Sequence, residues 1–192
     1  MPCRLPLSDA GSIPAASTIL FLCAIEMDAI FKRRSIRSFR PDPLDEPSLE
    51  KLLAAAMAAP SAGNEQPWHF VVVKDRALLE QLSQASPYAQ PCAGAAAAIV
   101  VCCDPSLVKH EGFWVQDCAA ATQNILLEAT DLGIGSVWIG IHPRAEREGA
   151  VRKILSMPPT IVPFSIVALG YPAEEKPPVD RYMRDRIHRE RW

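Results

Sequence analysis

The sequence predicts one α+β domain running from Met27 to Trp192, and three observations predict it. Short apolar runs of strand type alternate with amphipathic runs of helical type along the chain. Neither an internal repeat nor a linker divides it. The one glycine pattern that suggests a nucleotide-binding unit, "GIGSVW", has its elements in the wrong order. With 192 residues, 49% of them hydrophobic, the chain can fill a single core.

The elements follow in order. Residues 28–34 read as a short helix with Asp28 near its start. "PDPLDEPSLEKLLAAAMAAP" gives a loop and then a helix, with Pro47 in the first turn and Pro60 ending it. "HFVVVK" is a strand, and "DRALLEQLSQA" an amphipathic helix with Asp75 as N-cap. "AAAAIVVCC" is apolar throughout, which predicts a strand at the centre of a sheet. "FWVQDCAAATQNILLEATDLG" is the longest helix; its alanines and Cys118 permit close approach by another helix, and Gly133 suits a left-handed C-terminal cap. "SVWIGI" and "PFSIVALGY" are strands, separated by a helix near 146–155. In "GIGSVW", then, a helix precedes the glycines and a strand follows, the reverse of the dinucleotide-binding order. The tail from Pro172 is polar and aperiodic.

Composition excludes several classes. A formal charge of -2 gives no global attraction to nucleic acid or to an anionic membrane. P-loop, H-E-x-x-H and G-x-S-x-G patterns are absent, against an NTPase, a zinc hydrolase or an α/β-hydrolase. The six cysteines lack metal or redox spacing, and the neighbours Cys102 and Cys103 must face opposite sides of a strand. They read as small buried hydrophobes in a reducing, cytoplasmic setting. Residues 1–26 have an apolar stretch at 19–25, too short to span a membrane and without a clear secretory cleavage site. They are expected to be a non-native or disordered N-terminal extension, with translation beginning at Met27. "GSIPAAST" can even be back-translated into something like the end of a transfer-RNA gene.

Three stretches carry candidate chemistry. "RRSIRSF" sets Arg33, Ser35 and Arg37 at alternate positions, with Ile36 and Phe39 as core anchors. Such donors can converge on a phosphomonoester, and arginine adds planar recognition; a solvated basic surface is the competing reading. "PSAGNEQPW" is too polar and too long for a plain connection. Gly63 frees the backbone, Pro67 biases Gln66 toward extended geometry, and the amides of Asn64 and Gln66 suit the edge of a flat heterocycle. A turn closed by Trp68 competes. Ile139 and Gly140, ending a strand, could bring backbone groups close to a ring.

Together, "RRSIRSF", "APSAGNEQPWHF", "QDCAAATQNILLEATDLGIGSVWIG" and "VPFSIVALGYPAEEKPP" followed by Arg181 resemble the FMN-dependent nitroreductase family, in the same order and over essentially all of residues 27–192. The resemblance implies a central, mostly antiparallel sheet flanked by helices, and an intertwined homodimer with FMN at the interface. By position, Arg33, Arg34, Ser35 and Arg37 would hold the FMN phosphate and ribityl chain together with Arg181, for which Lys176 is the competitor. Pro60, Ser61 and Asn64 would approach the flavin from the partner subunit, with Gln66 near the ring system. Ile139 and Gly140 would face the isoalloxazine through backbone groups. The long helix with Asn124 would form much of the dimer interface.

The activity implied is hydride transfer from NADH or NADPH through FMN to a nitroaromatic, quinone or similar acceptor by a ping-pong cycle. No side chain is assigned a catalytic role, because the chemistry belongs to the flavin. His110, Phe113 and Trp114, in the short segment before the long helix, border the acceptor site or simply pack the helix entry. The same fold could serve reductive dehalogenation or oxygen-dependent oxidation, or bind flavin without catalysis. A nucleic-acid binder built on the two basic ends is the weakest alternative, since neither end interleaves aromatics.

Overall fold

The computed structural model describes residues 28–177 and 179–192. The expectations for residues 1–26 and for Met27 as the start lie outside the described residues. Five α-helices and four strands are described: α1 (Asp28–Lys32), α2 (Glu46–Met57), β1 (Trp68–Val73), α3 (Arg76–Ser83), β2 (Ala97–Cys103), α4 (Trp114–Asp131), β3 (Gly135–Gly140), α5 (Ala145–Ile154) and β4 (Val162–Gly170). The strands form one sheet in the order β1-β2-β4-β3, and every adjacent pair is antiparallel. The expected α+β architecture is borne out.

The all-apolar runs occupy the middle of this sheet because both of their faces are covered. β2 is buried at all seven positions. One face, with Ile99, Val101, Cys103, Val167 and Leu169, packs on α2 and α4. The other, with Ala98, Val100, Cys102, Ile166 and Ala168, packs on α3 and α5. Cys102 and Cys103 therefore do point to opposite faces. The four described cysteines are free and buried, and burial pushes the Cys92 and Cys102 thiols up to about 12. Inert packing is what such thiols do. Among the described residues no group of histidine, cysteine or carboxylate side chains could hold a metal ion, and no helix is long and apolar enough to cross a membrane.

Local signals behave as the sequence predicts. Asp75 caps α3, its carboxylate accepting from Leu78 N–H at 2.9 Å; Asp45, not singled out from the sequence, caps α2 in the same way, accepting from Ser48 N–H at 2.8 Å. Gly133 takes φ 69°, and the chain turns back with Ile134 N donating to Ala129 O at 2.7 Å. The β2–β4 register slips between Val101 and Cys102, where Pro163 stands in β4 without an N–H to give the ladder.

Two expectations need correction. α1 stops at Lys32 rather than Arg34, because the next residues leave the helix to join the sheet: Ser35 bridges Ser136 in parallel, with Ile36 N donating to Ser136 O at 2.9 Å. Gln66 is not extended but has φ 47°, despite Pro67. Its N–H is caught by Ser61 Oγ at 3.0 Å and its amide donates to Asn64 Oδ1 at 3.2 Å. Closing that ring outweighs the local bias set by proline.

Candidate functional site

The bridge from Ser35 to β3 fixes the arginine segment. Ile36 is buried at the sheet edge, so Ser35 and Arg37, its neighbours, turn the other way. The tail returns beside them. Arg34 Nε donates to Pro177 O at 2.8 Å, and Lys176 Nζ donates to Ser35 O at 2.6 Å. Glu174 accepts from the N–H groups of Arg37 and Ser38 at 2.5 and 3.3 Å, and pairs with Lys176 at 3.2 Å. The Arg37 N–H bond, with Lys176 beside it, holds the Glu174 carboxyl below its usual range.

The result is a cavity of about 370 Å³ lined by Arg33, Arg34, Ser35, Arg37, Lys176 and Arg181, with Pro177 and Val179. It has five cations and no lining carboxylate. Among the described residues Arg33, Arg37 and Arg181 have no ion-pair partner. Burial, then the charges of Arg181 and Arg34, lowers the Arg33 guanidinium from its ordinary value. A bound anion would relieve such mutual repulsion. Arg181 and Lys176 both reach the cavity, but Lys176 is already tied to Ser35 and Glu174, whereas Arg181 is not.

Arg37 also lines a second cavity, of about 650 Å³, along the free edge of β3. Its walls are Val137, Trp138, Ile139 and Gly140 on one side and Pro87, Tyr88, Gln90 and Pro91 on the other. Because Ser136 O faces the arginine segment, alternation turns the backbone groups of Trp138 and Gly140 outward and those of Ile139 toward β4. The Ile139 side chain is in the core. Gly140 O is met by Arg147 Nη1 at 3.1 Å, and Arg147 lies over the Tyr88 ring at 5.4 Å, so Gly140 N–H stays outward beside the backbone groups of Trp138. The wall at 87–91 escaped the sequence reading. Its one signal there is a tyrosine and a glutamine between two prolines in "SPYAQPC".

The loop at 60–66 lines neither cavity. Pro60, Gly63, Asn64 and Gln66 are exposed, and Ser61 half-buried. Gly63 has φ 52°, and the His110 ring packs where its Cβ would stand. Glu65 alone turns inward and accepts from the N–H groups of Lys109 and His110 at 2.7 and 2.9 Å. Asp117, in the first turn of α4, accepts from Ala62 N at 3.0 Å. Burial raises the Asp117 carboxyl, helped by the Glu65 charge and opposed by the Ala62 N–H. Burial acts the same way on Glu65, but its two N–H donors outweigh it and hold that carboxyl below its ordinary value.

His110 therefore braces the loop, while Phe113 is exposed and Trp114 packs edge-on against His142 at 4.6 Å. Neither Phe113 nor Trp114 borders the two cavities. Asn124 donates to Ala55 O at 2.9 Å, and the small residues of α4 meet α2 within the same chain.

The sequence matches the Nitroreductase family over residues 30–113 and 93–171. The chain belongs to this family. A relative from Archaeoglobus fulgidus, provisionally described as an NADH dehydrogenase/NAD(P)H nitroreductase, is 55% identical over 167 residues, covering 85% of this chain and 96% of its own. Among solved structures, an FMN-dependent nitroreductase from Clostridium difficile superposes with a TM-score of 0.80 at 30% identity, covering 85% of this chain and 98% of its own. A provisionally described nitroreductase from Desulfovibrio desulfuricans, solved in complex with FMN, gives 0.76 at 28% identity, covering 86% and 96%. For a nitroreductase-family chain, the two cavities joined at Arg37 are the region to examine for a cofactor.

Proposed function

We propose that the protein is an FMN-dependent NAD(P)H oxidoreductase, acting on nitroaromatics, quinones or similar electron-poor acceptors, and working as a cytoplasmic homodimer with FMN at the subunit interface. The observation that carries this reading is the cationic cavity, which shares Arg37 as a lining residue with a second cavity along the outer edge of β3. The donor set fits the cofactor. Arg33, Arg34, Arg37 and Arg181, with Ser35, would hold the phosphate and ribityl chain, Lys176 adding charge. Gly140 N–H, Gln90 and the outward backbone groups of Trp138 would meet the ring. Bound FMN would supply the two-electron exchange between NADH or NADPH and an acceptor that takes the nicotinamide's place. The protein's share is to bind, orient and exclude water.

The homodimer is supported by what one chain leaves unfinished. Pro60, Asn64 and Gln66 are exposed, and neither they nor half-buried Ser61 line their own chain's two cavities, so the loop suits the partner's flavin. Phe31 and Tyr182, 76% and 72% exposed, line one surface hollow together, apolar surface of the kind a second subunit covers. A relative from Salmonella typhimurium, 32% identical over 154 residues, is an oxygen-insensitive NADPH nitroreductase, which supports this donor and acceptor class.

Initial rates with NADH or NADPH varied against a quinone and a nitroaromatic test the cycle. Parallel double-reciprocal lines are expected with both acceptors. Intersecting lines would contradict ping-pong turnover. Turnover confined to a halogenated substrate or to oxygen would move the assignment to dehalogenation or oxidation on the same fold.

A further inference from the structure

We propose that Glu65 and Asp117 share a single proton, and that this carboxyl pair positions the 60–66 loop for its contact with FMN. The inference rests on the reading of that loop as cofactor-facing. The loop has no ladder, one short turn and a ring of bonds among Ser61, Asn64 and Gln66, and these hold it to itself rather than to the rest of the fold. Its inward anchor is Glu65, 6% exposed, beside Asp117, 5% exposed.

The hydrogen-bond inventory leaves a specific gap. Glu65 Oε2 takes two N–H donors from Lys109 and His110, and Asp117 Oδ1 takes one from Ala62. Glu65 Oε1 and Asp117 Oδ2 are buried with no N–H or O–H to accept. Asp117 holds the Ala62 N–H, and Ala62 O in turn accepts the Glu65 N–H at 3.0 Å, so the two buried carboxyls sit close enough for each to act on the other. Ionised carboxylates only accept, so two neighbouring carboxylates, each with an orphaned oxygen, would repel. One proton turns them into a donor and an acceptor. It belongs on Asp117, which has one N–H donor to stabilise a charge where Glu65 has two. The only other titratable side chain acting on both is His110, whose ring stands over Gly63. Lys109 meets the pair through its backbone, and the neighbouring Cys118 thiol is buried. The pair thus clamps Ala62 and Glu65 to residues 109–117 and fixes everything between Ser61 and Gln66.

A double-substitution cycle tests this. Asp117→Asn offers an amide N–H in place of the shared proton while its oxygen still accepts from Ala62. Glu65→Gln offers its own N–H to an ionised Asp117. Each single variant is expected to bind FMN within about twofold of the parent. The double variant brings two NH2 groups face to face, and is expected to bind about tenfold more weakly and to melt, without added FMN, well below the sum of the single effects. Additive melting effects would overturn the shared proton. A non-additive loss of thermal stability with FMN affinity unchanged in all variants would overturn the positioning role, because the loop would then not face the cofactor. If the double variant does not fold, infrared spectroscopy decides: a protonated carboxyl band is expected in the parent at neutral pH and absent in both single variants. Its absence from the parent would overturn the proposal.

Discussion

Replacing Arg37 with alanine is expected to weaken FMN binding about ten- to a hundredfold. Arg37 is the one residue that lines both the cationic cavity and the cavity along β3, so it would touch the cofactor where phosphate chain and ring system join. Its guanidinium makes only a 3.4 Å contact to Ser35 O and no ion pair among the described residues, so its donors are free for a ligand. A hydrogen bond to a charged partner contributes about 1.5–3 kcal/mol, and 1.4 kcal/mol is a factor of ten. The fold should not suffer, because the side chain is exposed and the segment is held by Ile36 and by Glu174 on the Arg37 N–H. The check is fluorescence titration of FMN into the flavin-free variant alongside its melting curve. Unchanged affinity would remove Arg37 from the site.

Gly135→Ala is expected to damage both stability and cofactor binding. A Cβ at Gly135 would stand 2.8 Å from Ile36 Cγ2 and 3.1 Å from the carbonyl oxygen of Gly170. The carbonyl belongs to the paired strand β4 and cannot retreat, so Ile36 must. Overpacking of this kind costs about 1–3 kcal/mol, roughly 2–10 °C in melting temperature for a domain of this size. Ile36 lies between Ser35 and Arg37, so its displacement also moves the arginine segment off the β3 edge. Weaker FMN binding should therefore accompany the lower melting temperature. A variant with parental stability and affinity would show that Ile36 does not set that segment.

The strands were legible because β2 and β4 are buried on both faces, which leaves an unbroken apolar run in the sequence. The caps at Asp75 and Gly133 were legible for equally local reasons. The arginine segment could be read because charges placed on either side of a core anchor have few structural uses. Other parts of the site could not. Tyr88 lies in a turn and Gln90 opens a short 3-10 helix between α3 and β2, and they reach Gly140 only because β3 is an edge strand. Nothing periodic marks them. Glu65 and Asp117 meet because α4 packs beside the 60–66 loop, a tertiary fact with no local signature. Gln66 took a left-handed conformation because Ser61 and Asn64 closed a ring around it, a contest that residue-by-residue preferences do not resolve.

The central claim is that the two cavities meeting at Arg37 hold FMN and that NAD(P)H reduces it there. The measurement that tests it most directly is an absorbance spectrum of the purified protein, reconstituted with FMN, before and after anaerobic NADH and NADPH. The account predicts bound-flavin bands that bleach with at least one nucleotide and return on adding an electron-poor acceptor. Bands that persist with both nucleotides would contradict the oxidoreductase assignment, and no bound flavin after incubation with FMN would contradict the site itself.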